Sequence, residues 1–199
     1  MSDAPWMWLL AGPNGAGKTT AAREHRSTIG ELVNPDELLL QYASSPSPAI
    51  EAARDAIIRT RLAIDERRSF ARETTLAGHS LLREVKRAKA AEFRIGLFFI
   101  GLSGPAIAIR RVIYRSQHGG HFIPEPDVRR RYRRSLANLA AYVDMSDRVV
   151  VFDNSSKIDR MKLVLEIVDG RKLFGARPMP RWLKPLLARQ AYGHKPTWR

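Results

Sequence analysis

The sequence predicts a three-layer α/β domain around a mainly parallel sheet, and three observations carry that expectation. Short apolar runs alternate with longer amphipathic ones, as when strands are joined by crossover helices. Residues Gly12 to Thr19 read Gly-Pro-Asn-Gly-Ala-Gly-Lys-Thr, a full match to the pattern G-x-x-x-x-G-K-[ST]. Arginines crowd Arg110 to Arg134, on two segments that read as consecutive helices.

The first strand is the apolar run Trp6–Ala11, which aims the glycine-rich loop, and Thr20-Ala21-Ala22-Arg23 continues the loop into a helix. Glycines in such a loop let backbone N–H groups wrap phosphate oxygens, and the helix presents its positive end to the anion. Gly12, Pro13, Asn14, Gly15, Ala16, Gly17, Lys18, Thr19 and Thr20 are therefore the candidate nucleotide contacts. Lys18 reaches the β- and γ-phosphates and the Thr19 hydroxyl holds Mg²⁺. Further strands are expected at Glu31–Asn34, Ser69–Glu73, Ile95–Gly101, Arg148–Phe152 and Leu163–Val168. Ala49–Arg67 reads as a helix burying Ile50, Ala53, Ile57 and Ile64, and Pro126–Val143 as one with Tyr132, Leu136, Leu139 and Val143 in a stripe. Ser80–Phe93 and Gly104–Gln117 are the other internal helices. The whole is expected to be a P-loop NTPase/kinase-like domain over residues 1–170, with a helical Arg-rich lid at about 105–135. Residues 171–199 read as a basic extension packing on or trailing from that domain, with a short helix at Arg181–Ala191.

The chain has 199 residues, no cysteine, and a net charge of +14 from 34 Lys+Arg against 20 Asp+Glu. Absent cysteines exclude disulfides, a thiol nucleophile and cysteine-ligated zinc, and accord with a cytoplasmic protein. The N-terminus reads as a core strand rather than a signal peptide, and no apolar run approaches the ~20 residues that span a bilayer. The positive excess attracts polyanions, so a nucleotide-gated nucleic-acid-binding module is one rival reading and a nucleotide hydrolase switch another. No zinc-finger or ribonucleoprotein signature supports the nucleic-acid reading.

In an open α/β sheet, ligands lie beyond the carboxyl ends of the strands. Asp36 follows the second strand and Glu73 closes the third, so both are expected at the edge that carries the glycine loop. Asp36 is a candidate base for an acceptor hydroxyl, and equally a helix N-cap or Asx turn after Pro35. Glu73 reads as a substrate contact, a ligand to Mg²⁺ through water, or half of a salt bridge to an arginine. Val149–Asp153 is the nearest approach to a Walker B strand. Arg111 and Arg115 share a helix face, and Arg131 and Arg134 flank the buried stripe of the next helix, where Asp127 and Arg131 also stand as an i,i+4 pair. His118 and His121 read as loop histidines bonding substrate or backbone rather than a metal. Asp153-Asn154-Ser155 reads as a turn or a base contact.

In order along the chain, GPNGAGKTT at Gly12–Thr20, NPDE at Asn34–Glu37, ETTLAG at Glu73–Gly78, RVIYRSQHGGHFIPE at Arg111–Glu125, RRYRRSLANL at Arg130–Leu139 and VFDNS at Val151–Ser155 resemble the zeta-toxin family of phosphate-loop kinases, particularly its short members. The resemblance implies an ATP- or GTP-dependent, Mg²⁺-requiring kinase, whose best-known relatives phosphorylate UDP-N-acetylglucosamine. It implies Lys18 and Thr19 as phosphate and Mg²⁺ contacts and Asp36 as the base. Glu73 and Thr74, with His121, would hold the acceptor, and Arg115 with Arg131 or Arg134 would act from the lid. It also implies a small helical antitoxin as partner. ETT stands where larger members carry a glycine after the glutamate, which leaves the acceptor open.

Overall fold

The computed structural model describes residues 4–78, 80–120, 122–156 and 161–186. A single seven-stranded sheet has the order β2-β3-β1-β4-β5-β6-β7. Its strands are β1 (Trp6–Ala11), β2 (Glu31–Val33), β3 (Phe70–Thr74), β4 (Arg94–Gly101), β5 (Arg148–Asp153), β6 (Lys162–Val168) and β7 (Arg171–Gly175). Neighbours from β2 to β5 are parallel, and β6 and β7 close one side antiparallel. The helices are α1 (Lys18–Glu24), α2 (Arg26–Ile29), α3 (Pro35–Gln41), α4 (Pro48–Asp65), α5 (Ser80–Ala90), α6 (Pro105–Gln117) and α7 (Glu125–Met145).

Helices cover both faces of the parallel strands, which is why β1 and β4 are apolar without alternation. Met7, Leu9 and Ala11 of β1 enter one core layer, with Ala56 of α4, Val85 of α5 and Leu139 of α7. Trp8 and Leu10 enter the other, with Ala21 of α1, Val112 of α6 and Tyr132 of α7. Tyr132 is held there by donating its hydroxyl hydrogen to Leu102 O at 2.8 Å.

The face of α4 differs from the sequence expectation. Its buried residues are Ala52, Ala56, Thr60, Ala63 and Ile64, whereas Ile50 is 55% exposed and Ala53 is also exposed. Small side chains let this helix lie close to its neighbours, and Thr60 satisfies its hydroxyl by donating to Ala56 O at 2.8 Å. Three elements were not legible in the sequence, the first being the four-residue α2. Short helix α3 starts at Pro35, and β7 has few apolar residues pointing inward.

The chain after β7 packs on the first core layer through Trp182, Leu183 and Leu186. Residues 184–186 form a helical turn, and the remainder of the expected helix at Arg181–Ala191 lies outside the described residues. Trp182 lies across β4 at Gly101, where a Cβ would fall 2.1 Å from its Cη2 atom. Gly101→Ala is therefore expected to lower stability by about 1–3 kcal/mol through overpacking. In chemical denaturation, the Gly101→Ala/Trp182→Ala double variant should lose less than the sum of the two single losses, because removing the Trp182 ring also removes the overlap with the new methyl group.

Candidate active site

The glycine loop is wedged between strand ends. Gly12 N donates to Thr74 O at 3.2 Å, and a Cβ on Gly12 would lie 2.3 Å from Ile100 O, so only glycine passes there. Gly15 and Gly17 adopt φ of 71° and 99°, which turns the loop into the start of α1. Tertiary contacts brace it from the far side. Asn154 Nδ2 donates to Ala16 O at 2.8 Å, and Arg111 donates to Gly15 O at 3.3 Å and to Ser156 O at 3.2 Å.

Lys18 is only 7% exposed. Its Nζ donates to Gly12 O at 3.1 Å and Pro13 O at 3.2 Å, and lies 3.7 Å from Glu73 Oε1. Burial pushes the Glu73 carboxyl above the usual carboxylate range; Lys18 opposes that shift, while Asp36 and Glu37 reinforce it. Glu73 Oε2 is buried with no hydrogen-bond partner among the described residues.

Asp36 was expected to share its role with helix capping, and the structure separates the two. The cap is Asn34, whose Oδ1 accepts from Asp36 N at 3.0 Å, with Pro35 in the first turn of α3. The Asp36 carboxylate is thereby left for the cavity it lines.

Two cavities meet at this point. The first, about 200 Å³, is lined by Gly15, Gly17, Thr19, Thr20, Arg111 and Arg115. The second, about 290 Å³, is lined by Asn34, Pro35, Arg72, Thr74, Thr75, Glu84 and Arg131, among others. Asn14, Lys18, Asp36 and Glu73 line both. The first has the donors and cations of a polyphosphate cradle, and Thr19 with Asp36 and Glu73 offers the hard oxygen set that suits Mg²⁺. The second extends from those shared residues to Arg72, Glu84 and Arg131.

Of the lid arginines, Arg115 lines the first cavity and Arg131 the second. Arg134 is exposed and lines neither. The alternative pairing of Asp127 with Arg131 does not form; Asp127 pairs with Arg130 at 2.7 Å, and Arg129 with Glu125 at 2.6 Å, leaving Arg131 to face the cavity. Thr74 lines the second cavity, and its Oγ1 accepts from Leu76 N at 3.0 Å. His121 lies outside the described residues. His118 is a local contact, with Nδ1 2.7 Å from Tyr114 O and its ring against that of Tyr114. Asp153 is taken up by its own turn, its Oδ1 accepting from Ser155 N at 2.9 Å and from the Ser155 hydroxyl.

Sequence reasoning missed the braces Arg111 and Asn154 and the buried pair Arg72–Glu84, whose Nε and Oε2 lie 3.7 Å apart. Burial lowers the basicity of Arg72 and raises the Glu84 carboxyl, and each partner opposes the other's shift. The available signal was the period of β3. Phe70, Arg72 and Thr74 share one face and Ala71 and Glu73 the other, so a charge points inward on both sides of one strand end.

No family model matches the chain. Over 126 residues, 62% of this chain and 90% of the relative, it is 34% identical to an uncharacterized protein of Haemophilus influenzae, and it belongs to that protein's family. Among solved structures, the complex of AvrRxo1-ORF1 and -ORF2 with ATP superposes with a TM-score of 0.68 at 17% identity, over 84% of this chain and 60% of the neighbour. This chain thus spans about three fifths of that neighbour's length. The PezAT toxin–antitoxin system of Streptococcus pneumoniae matches with a TM-score of 0.58 at 16% identity, over 96% and 88% of the two chains. A putative kinase from Chloroflexus aurantiacus matches with 0.54 at 14%, over 79% and 93%. These likenesses show the fold, a P-loop kinase-like α/β domain.

The raised Glu73 carboxyl generates a pH-dependent difference. A carboxyl whose folded pKa lies above its unfolded value contributes most to stability at low pH and loses that contribution as pH rises through the folded pKa. Glu73→Gln mimics the neutral form. In urea unfolding it should match the native protein near the unfolded glutamate pKa of about 4.3 and become progressively more stable than it above that pH. Equal stability of the two proteins at pH 8 would contradict the burial effect.

Proposed function

We propose that the chain transfers the γ-phosphoryl group of ATP or GTP to a hydroxyl of a small acceptor. What carries this reading is the pair of cavities that share Asn14, Lys18, Asp36 and Glu73, one suited to a polyphosphate and the other opening beside it. The nucleotide occupies the cavity at the glycine loop, and the acceptor occupies the one floored by Arg72 and Glu84. Thr19 would hold a Mg²⁺ ion, which would supply charge neutralisation for the transferred phosphoryl group.

The chain's own groups supply the remaining steps. Asp36 accepts the proton of the acceptor hydroxyl while that oxygen forms its bond to the γ-phosphorus and the bond to the β-phosphate oxygen breaks, releasing the nucleoside diphosphate. Lys18, Arg115 and Arg131 stand on both sides of the moving group, where fixed cations stabilise its negative charge. Glu73 and Thr74 orient the acceptor, with the loop histidine His121 as a further candidate contact. A nucleotide sugar such as UDP-N-acetylglucosamine is the first acceptor to test. No helix among the described residues is long and apolar enough to cross a membrane, and we place the reaction in the cytoplasm. The likeness to a toxin–antitoxin system supports a small antitoxin protein as a further partner.

Incubation with labelled ATP, Mg²⁺ and a panel of UDP-sugars, amino sugars and sugar phosphates, followed by mass spectrometry of the products, tests the reading directly. Asp36→Ala should keep nucleotide affinity within a few-fold and lower transfer by on the order of 10² or more. Retained transfer by that variant would remove Asp36 as the base, and release of free phosphate without a phosphorylated product would make the protein a hydrolase. Arg115→Ala and Arg131→Ala should each lower kcat by about 10²-fold, as loss of a transition-state cation or donor does elsewhere, whereas Arg134→Ala should turn over like the native protein.

A further inference from the structure

The acceptor cavity continues outward. Ser80 and Glu84 of α5 line both it and a further chamber of about 250 Å³ between α4 and α5. That chamber is completed by Ile57, Arg61 and Ile64 from α4 and by Arg83 and Arg87 from α5.

The two spaces differ in charge. In the acceptor cavity, Lys18 faces Glu73 and Arg72 faces Glu84, each at 3.7 Å, and Asp36 and Arg131 complete a balanced set. In the outer chamber, Arg87 is taken by Asp65 at 2.8 Å and Glu84 is already held by Arg72. No ion pair among the described residues engages Arg61 or Arg83. Both guanidinium groups lie within electrostatic reach of the Glu84 carboxyl, against the burial that raises its pKa. Arg61 and Arg83, on different helices and beside Ile57 and Ile64, bring to this chamber positive charge that no ion pair among the described residues takes up, and planar guanidinium forks suit phosphate oxygens.

The outer chamber has no aromatic side chain among its described lining residues, and neither has the acceptor cavity. Nothing described there stacks a nucleobase. One cavity of about 290 Å³ falls just short of the usual ligand-site range of ~300–1,000 Å³, and the outer chamber brings the joined space into it.

We propose that Arg61 and Arg83 form an anion subsite for a phosphate group carried by the acceptor, remote from the hydroxyl that lies beside Asp36. The acceptor is then a phosphorylated alcohol of sugar-phosphate size, in which a nucleoside is dispensable. This inference rests on the phosphotransfer reading and narrows its substrate class.

Inorganic phosphate is the first probe. It is titrated into the full chain saturated with a non-hydrolysable ATP analogue, so that the glycine loop is filled, while the arginine Nε resonances are followed by NMR. Arg61 and Arg83 should shift together and saturate with one dissociation constant. Linear, unsaturating shifts like those of Arg134 would mean non-specific screening and overturn the subsite. The second measurement compares glucosamine, glucosamine 1-phosphate and UDP-N-acetylglucosamine as acceptors. The phosphorylated sugars should show kcat/KM at least about tenfold above the free sugar, the size expected when a charge-assisted hydrogen bond is gained. Arg61→Ala/Arg83→Ala, at exposed positions, should erase that preference without changing the KM for nucleotide. Equal use of free and phosphorylated sugar would sink the subsite and leave the kinase reading standing. Saturable phosphate binding at both arginines with no product from any acceptor would leave the subsite standing and sink the kinase reading.

Discussion

Lys18 is a cation held almost wholly inside the fold, and the geometry around it follows from what compensates that charge. Two loop carbonyls and the Glu73 carboxylate surround its Nζ. Burying an ammonium without such oxygen acceptors around it costs far more than the modest net gain of any one of these contacts. Strand β3 must therefore end beside β1, bringing Glu73 to the glycine loop, and the parallel register pairs Leu10 with Glu73 and Ala11 with Thr74. The Gly12 N–H bond to Thr74 O closes the same junction.

That junction makes one edge of the sheet chemically dense. β1 delivers the loop, β2 leads to Asp36, β3 carries Glu73 next to its last residue, and β5 leads to Asn154, which grips the loop through Ala16. α6 and α7 bring Arg115 and Arg131 over the two cavities from the other direction. Because Lys18, Asp36, Glu73, Arg115 and Arg131 lie on regular elements, their positions are set by core packing rather than by loop conformation. The arginine helix is itself anchored, since Asn138 of α7 donates to Leu76 O at 2.7 Å. Leu76 is fully buried with φ of 54°, a left-handed turn that the Thr74 and Asn138 hydrogen bonds hold in place.

Much of the architecture was legible because it rests on short-range patterns. The loop motif, the apolar strands and the stripe on α7 all appear as runs or periods in the chain. The face of α4 was not, because its close approach selected alanines and left Ile50 outward, against the usual preference for burying the largest side chain. Asp36 remained ambiguous in the sequence because Asn, Pro and Asp all favour helix starts, and only the hydrogen bond from Asp36 N to Asn34 decided which residue caps. Arg131 stands three and four residues from the buried Val128 and Ser135, whereas Arg134 has no buried residue at those spacings. Asp127 pairs with Arg130 and leaves Arg131 to the cavity.

By itself the sequence determined that a phosphate-cradling loop follows a core strand in an α/β domain, since glycine spacing and strand–loop–helix order are local properties. Tertiary structure decided which charges meet. Lys18 and Glu73 are far apart in the chain, Arg72 and Glu84 belong to different elements, and Asn154 reaches back to Ala16. Such pairings depend on strand order and helix packing, because electrostatic and hydrogen-bond energies fall off over a few ångströms in space, whatever the separation along the chain.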